Sequence, residues 1–225
     1  MTFEQVLGHL KSAGTEQYAK VYRRHGARGD LFGVSYADMG RLRKQIHIDH
    51  NLALRLWDSG NVDARMMATM IADPLQATST QLDLWVKATD NYLLADMVAF
   101  FTVRTTLALT KARKWMKSDK EFVRQCGYVT LATAIKDGVE IGDAECETIL
   151  ATIEKEIHAS PNRARHAMNN AVIAIGIFRP ALTAAAIETA QRIGRVEVDH
   201  GKTSCQTPDA AVYIRKATAG PNNLI

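Results

Sequence analysis

The sequence predicts an all-α chain, with its helices arranged as an α-solenoid and followed by an irregular tail. Three observations carry this reading: apolar residues at helical spacing, capping residues ahead of the apolar segments, and turn-forming breaks at short intervals. In TILATIEKEIHA (148–159), Ile149, Ile153 and Ile157 fall at i, i+4 and i+8, while Glu154, Lys155 and Glu156 turn away from that stripe. No stretch alternates apolar and polar residues in the manner of a half-buried strand.

The helix starts come next. Ser35 precedes YADMGRLRKQI, Asp49 precedes HNLALRLW, Thr78 precedes STQLDLWVKA and Asp119 precedes KEFVRQCGYVTLA. Each offers a side-chain oxygen to an unpaired N–H of a first helical turn. The breaks are DSG (58–60), DP (73–74), KDG (136–138), SPN (160–162) and RP (179–180), all turn chemistry. Between them lie roughly eleven helices of about 10 to 18 residues, and such short connections fold each helix back on its neighbour. Taken in pairs they recur at about 35 to 45 residues, the range of HEAT-like repeats. A compact bundle of unrelated helices is the alternative. The helical domain is expected over residues 1–195. Residues 196–225 (VEVDHGKTSCQTPDAAVYIRKATAGPNNLI) lack periodicity and read as an irregular tail packed on the body, its end mobile.

Composition narrows the function. Hydrophobic residues make up 47% and charged residues 23%, the balance of a globular protein with a sizeable core. No apolar run approaches the roughly 20 residues of a membrane span, and the N-terminus lacks the layout of a signal peptide. Three cysteines (Cys126, Cys146, Cys205) without CxxC spacing read as reduced thiols of a cytoplasmic protein. A net charge of +4 is compatible with a polyanionic partner. Basic residues cluster at Arg41, Arg43 and Lys44, and again at Lys111, Arg113, Lys114 and Lys117. No Walker loop, GxGxxG, HExxH or GxSxG is present, which disfavours nucleotide hydrolysis, dinucleotide binding and the common hydrolases. Trp57, Trp85 and Trp115 sit on amphipathic segments and are expected in the core.

One run stands apart. In KATDNYLLADMVAFF (87–101) an acid, Asp96, interrupts an apolar segment, with Tyr92 one helical turn before it. Further on, Asn169 and Asn170 stand side by side inside a predicted helix, against helix propensity, so at least one should face a polar cleft or another segment's backbone.

FGVSYADMGRLRKQI, DHNLALRLWDSGNVDARMMATMIADP, QLDLWVKATDNYLLADMVAFF, KWMKSDKEFVRQCGYVTLA and HAMNNAVIAIG together resemble the DNA alkylation repair proteins built from HEAT-like repeats. The resemblance covers roughly residues 30 to 195 and rests on order and spacing more than on any single motif. It implies a concave basic face that holds duplex DNA, excision of N3- and N7-alkylated purines, and no metal or other cofactor. It also implies a catalytic aspartate one turn after a tryptophan, with a second tryptophan on a later helix. Asp96 matches the aspartate and Tyr92 takes the place of the first tryptophan. His166 falls near a family lysine, and Asn170 stands where the second tryptophan would be, with Asn169 beside it. Arg124 lies at or one place from a basic residue of the family cleft, Gln125 being the other candidate.

The chemistry fits those residue types. Loss of an alkylated purine passes through an oxocarbenium-like sugar, which a fixed carboxylate stabilises while orienting water. An aromatic face beside it holds a cation, worth about 0.5 to 2 kcal/mol. Arg124, Lys111, Arg113, Lys114, Arg163 and Arg165 are the candidates for contact with the DNA backbone. Two readings result: a monomeric alkylpurine DNA glycosylase acting on duplex DNA, or a non-catalytic HEAT-like module that binds branched or damaged DNA or a protein partner. In the tail, Asp199, His200 and Cys205 fall short of the three or four nitrogen and sulfur ligands of a zinc site, and hydrogen-bonded caps on the last helices are expected there instead.

Overall fold

The computed structural model describes residues 1–219 and divides them into two compact units. The expected mobile end, from residue 220 onward, lies outside the described residues. Thirteen α-helices and two short 3-10 turns are found, with no strand among the described residues. All five breaks fall at or between helix ends.

The first unit comprises Met1–Leu107 together with Gly201–Thr203. It holds α1 (Phe3–Ala13), α2 (Glu16–Arg24), α3 (Tyr36–Ile46), α4 (His50–Asp58), α5 (Val62–Ile71), α6 (Ser79–Lys87) and α7 (Tyr92–Thr102). Three of the expected caps are in place, as Ser35, Asp49 and Thr78 accept hydrogen bonds from Asp38, Leu52 and Gln81. Helix α5 packs on α3, α4 and α7, which makes it the axis of the unit. Trp57 and Trp85 are buried as expected and stack with centroids 4.3 Å apart and planes 9° from parallel. The loop from α2 to α3 is held from below by Asp63 of α5. This carboxylate is fully buried and accepts hydrogen bonds from the backbone N–H of Phe32 (2.6 Å), Gly33 (3.2 Å) and Val34 (2.8 Å). Gly33 has φ +78°, and a Cβ there would stand 2.4 Å from Ala19 N, so the turn requires glycine.

The second unit comprises Ala108–His200 and the chain from Ser204. It holds α8 (Ala108–Trp115), α9 (Glu121–Lys136), α10 (Asp143–Glu156), α11 (Asn162–Phe178), α12 (Thr183–Ile193) and α13 (Ala210–Thr218). Helix α11 is its centre, packed on α9, α10, α12 and α13. Helices α8 and α9 approach until a Cβ at Gly127 would lie 2.5 Å from Met116 N, so glycine permits the pairing. Trp115 is buried, as expected. No single described helix is long and apolar enough to cross a membrane, and α11 with α12 reaches that length only across a 113° bend.

Two expectations are corrected. Helix α9 begins one residue after Asp119, at Lys120, with no side-chain cap. The tail is irregular only up to Pro208. Asp209 then caps α13, accepting from Val212 N at 2.9 Å, and Ile214 buries itself against Gly176 of α11. A nine-residue helix has little stability alone and forms here because α11 and α12 cover its apolar side.

Candidate functional site

Helix α7 explains the placement of Asp96. Asn91 caps it, its side chain accepting from Leu94 N at 3.0 Å. Leu94, Ala95, Val98 and Phe101 turn into the core, which leaves Tyr92 and Asp96 half-buried on the opposite face and Phe100 exposed at the next turn. The acid therefore sits at the edge of the apolar packing rather than within it.

Its neighbours come from distant parts of the chain. Tyr36 opens α3 and lies close enough for the Asp96 charge to act on its phenol. Although 47% of Tyr36 is exposed, burial around its hydroxyl pushes that group up to about 12, with Asp96 and then Tyr92 adding to the shift. Tyr36 thus keeps its proton at neutral pH and remains a donor beside a carboxylate. Tyr22 meets the Tyr36 ring edge-on at 6.2 Å and donates to Val34 O at 2.5 Å, fixing the loop that leads into α3. On the other side, the Tyr92 hydroxyl is hydrogen-bonded to Nδ1 of His25, with ring centroids 5.8 Å apart. One carboxylate framed by two phenols is suited to holding a cationic group: the acid supplies charge and the rings supply polarisable faces. Tyr36 and His25 were missed by sequence reasoning. Their separation along the chain hides the contact, though Ser35 marked the turn at which Tyr36 emerges.

The second unit gathers the other candidates in separate places. His166 and Asn170 line a hollow of about 520 Å³ with Lys136, Phe178 and Tyr213. Asn169 turns away from it and donates to Pro208 O at 3.0 Å, so one of the paired amides meets another segment's backbone. His166 does not reproduce the charge of a lysine. Burial, then His200 and Arg163, lower it to about 4, and it is neutral at pH 7. Thr207 joins the tail to α11, contacting His166 Nδ1 at 3.0 Å and His200 Nε2 at 2.9 Å. Asn162 adds a two-way pair with the Asp199 backbone, each bond 2.7 Å. The expected tail hydrogen bonds are therefore present. No cluster of three metal-binding side chains occurs among the described residues.

The basic candidates divide. Lys111 is a correction: it is 1% exposed, with its ammonium 5.9 Å from the Trp115 ring centroid, and it cannot reach a phosphate. Its spacing from Ala108, Ala112 and Trp115 puts it on the buried stripe of α8. Arg113 grips Glu145 through two bonds of 2.6 and 2.7 Å. Arg124, 16% exposed, contacts Glu156 at 3.3 Å and Ser160 at 2.9 Å. Gln125 is 4% exposed, which leaves Arg124 as the side chain that reaches the surface. Arg113 and Arg124 share a hollow of about 390 Å³ with both partner acids. Arg163 faces His200 at 3.3 Å, Arg165 is half-buried and Lys114 is exposed. A second basic group went unchosen in the sequence. Arg43, Lys44, His47 and Arg104 surround a hollow of about 770 Å³ in the first unit.

An all-α chain with HEAT-like helix pairs and a half-buried carboxylate on one such helix defines the class of HEAT-like repeat repair proteins. The profile of the DNA alkylation repair enzyme family matches residues 6–214, and the chain belongs to that family. It is 30% identical to the uncharacterized protein Lin0241 of Listeria innocua serovar 6a, spanning 96% of this chain and 97% of the relative. It is 29% identical to the uncharacterized protein Lmo0209 of Listeria monocytogenes serovar 1/2a over the same shares. A solved structure from a family of proteins related to the HEAT-like repeat DNA glycosylases, with affinity for branched DNA structures, matches at TM-score 0.88 and 29% identity. That match covers 96% of this chain and 93% of the other.

Proposed function

We propose that this chain is a DNA-binding member of its family that engages the phosphate backbone and prefers branched over linear duplex DNA. The observation that carries the reading is the match over nearly the whole chain, at TM-score 0.88, to a protein with affinity for branched DNA structures. Two local features support it. Asn170 offers no face for stacking, and His166, neutral at pH 7, brings no fixed charge to the hollow it lines. Recognition then falls to phosphate contacts, which position DNA without reading its sequence. The test is fluorescence anisotropy with a four-way junction and a linear duplex of equal length over a range of salt. Tighter binding to the junction, weakening as salt rises, is expected. Equal affinity removes the branch preference, and absence of binding overturns the proposal.

A second reading is favoured by one specific feature, the half-buried Asp96 between Tyr36 and Tyr92. In that reading the protein hydrolyses the N-glycosidic bond of alkylated purines, with Asp96 stabilising the cationic sugar and orienting water, and Tyr92 beside the departing base. Release of 7-methylguanine from duplex DNA by the wild type, abolished in Asp96→Asn, supports it. A wild type that binds DNA and releases no base leaves the first reading alone.

A further inference from the structure

The cations of the two units differ in what they face. In the second unit Arg113 and Arg124 are each matched by a glutamate. In the first unit Arg43, Lys44, His47 and Arg104 border one hollow of about 770 Å³, and among the described residues none of the four takes part in an ion pair. The volume lies within the range of built ligand sites. Its remaining lining is apolar, from Met70 and from Ile48, which is 59% exposed.

The local structure explains how like charges come to share this place. Arg43 and Lys44 occupy the last turn of α3, and Arg104 follows the C-terminal cap of α7. Both helices direct the negative ends of their dipoles toward the cations there. Arg104 is further held by its own backbone N–H, which donates to Phe101 O at 3.1 Å, and by the Phe101 ring 5.9 Å below its guanidinium. Helix dipoles offset part of the repulsion but leave the charges unneutralised. Burial and the nearness of Arg43 lower Arg104 from its ordinary value, with Asp73 acting in the opposite sense. Such a group of cations gains most from an anion with more than one negative centre, because two separated guanidiniums are then satisfied together.

The position of the hollow decides which anion. Tyr36 and Arg43 are seven residues apart on α3, hence on one face and separated by about 11 Å along the helix axis. Asp96 and Arg104 are eight residues apart on and just beyond α7. The same two elements therefore carry the Asp96 group at one end and the basic hollow at the other. About 11 Å is roughly three nucleotide steps along one strand of a duplex.

We propose that the hollow bordered by Arg43, Lys44, His47 and Arg104 binds consecutive phosphodiester groups of a DNA strand, a few nucleotides from the part of the DNA that meets Asp96. Ile48 and Met70 pack against the sugars between those phosphates. The proposal rests on the DNA-binding reading above and deepens it. A branched DNA displays backbone on more than one arm, and this hollow supplies a contact that the acid-paired arginines of the second unit do not.

The test compares three full-length proteins with the wild type for binding to a four-way junction by anisotropy. The first is Arg43→Glu/Arg104→Glu. The second is Arg41→Glu/Arg55→Glu, which changes the net charge equally on the same unit but at residues already paired with Asp38 and Glu4. The third is Arg43→Gln/Arg104→Gln, which removes charge without reversing it and serves where the reversed protein fails to fold. The hollow variants should lose at least tenfold more affinity than the control. The Gln pair should lower the slope of log K against log salt by about 2, one unit per phosphate released. A control that loses as much as the hollow variants, or an unchanged slope in the Gln pair, overturns the hollow while leaving DNA binding intact. A wild type that binds no DNA overturns the DNA-binding reading itself, and the phosphodiester assignment with it.

Discussion

The hydroxyl of Tyr92 is hydrogen-bonded to Nδ1 of His25, 67 residues earlier in the chain, with their ring planes inclined at 57°. This bond sets the orientation of the aromatic group that stands one turn before Asp96. Tyr92→Phe and His25→Ala should each lower stability in urea denaturation. In a double-mutant cycle the pair should show a coupling of about 1 kcal/mol. Additive losses would mean that the contact does not hold the ring.

Asp63 does more for the same region than its place in the core of α5 suggests. Its carboxylate takes three backbone donors from residues 32–34, and that loop sets Ser35 and Tyr36 at the start of α3. Asp63→Ala leaves those donors without a partner in a dry site and should cost about 3 to 5 kcal/mol in chemical denaturation. Asp63→Asn, which retains one acceptor oxygen, should cost less. A loss below about 1 kcal/mol for the alanine variant would show that water replaces the carboxylate.

Lys111 separates a charge count from a charge that DNA can feel. With 1% of its surface exposed, it should contribute nothing to the counterion release that accompanies DNA binding. In a folded Lys111→Met protein the salt slope for junction binding should equal that of the wild type. A slope reduced by about 1 would return Lys111 to the set of phosphate contacts.

What could be read in the sequence follows the range of the interactions. Caps act over three residues, so Ser35, Asp49 and Thr78 marked their helices correctly. The i, i+4 relation of Tyr92 and Asp96 is local and was legible for the same reason. Tyr36 and His25 reach the site through tertiary packing, which no local spacing encodes. Helix α13 was hidden in a similar way. Its cap, Asp209, was visible, but its stability comes from α11 and α12. The phase of α8 was a local signal that went unused, since Ala108, Lys111, Ala112 and Trp115 form one stripe. The pairing of Arg113 with Glu145 and of Arg124 with Glu156 joins residues 32 apart, and only the fold shows which cations are already matched.

The tail offers the last prediction, on pH. A guanidinium can only donate, so the contact between Arg163 and His200 makes His200 Nδ1 an acceptor. The single proton of that neutral ring then lies on Nε2 and is donated to Thr207 Oγ1, whose own proton goes to His166 Nδ1. The chain of donors runs one way and needs both imidazoles neutral. Burial is the first cause lowering both, His166 to about 4 and His200 in the same direction. The unfolded chain takes up a proton at His166 near pH 6.5, and the folded one does so only near 4. Acid therefore favours unfolding: the contribution is complete above about 6.5 and is lost as the pH falls toward 4. Because His166 is only half-buried, solvent screening reduces the effect to about 1 to 2 kcal/mol. The measurement is the urea midpoint at pH 7 and pH 5 in the wild type and in His166→Gln, with carboxylate titration common to both. The wild type should lose more stability between the two pH values than the variant, and hydrogen exchange at residues 205–207 and 209 should quicken at pH 5 in the wild type. Equal losses in the two proteins would show that the tail is held without regard to the charge on His166.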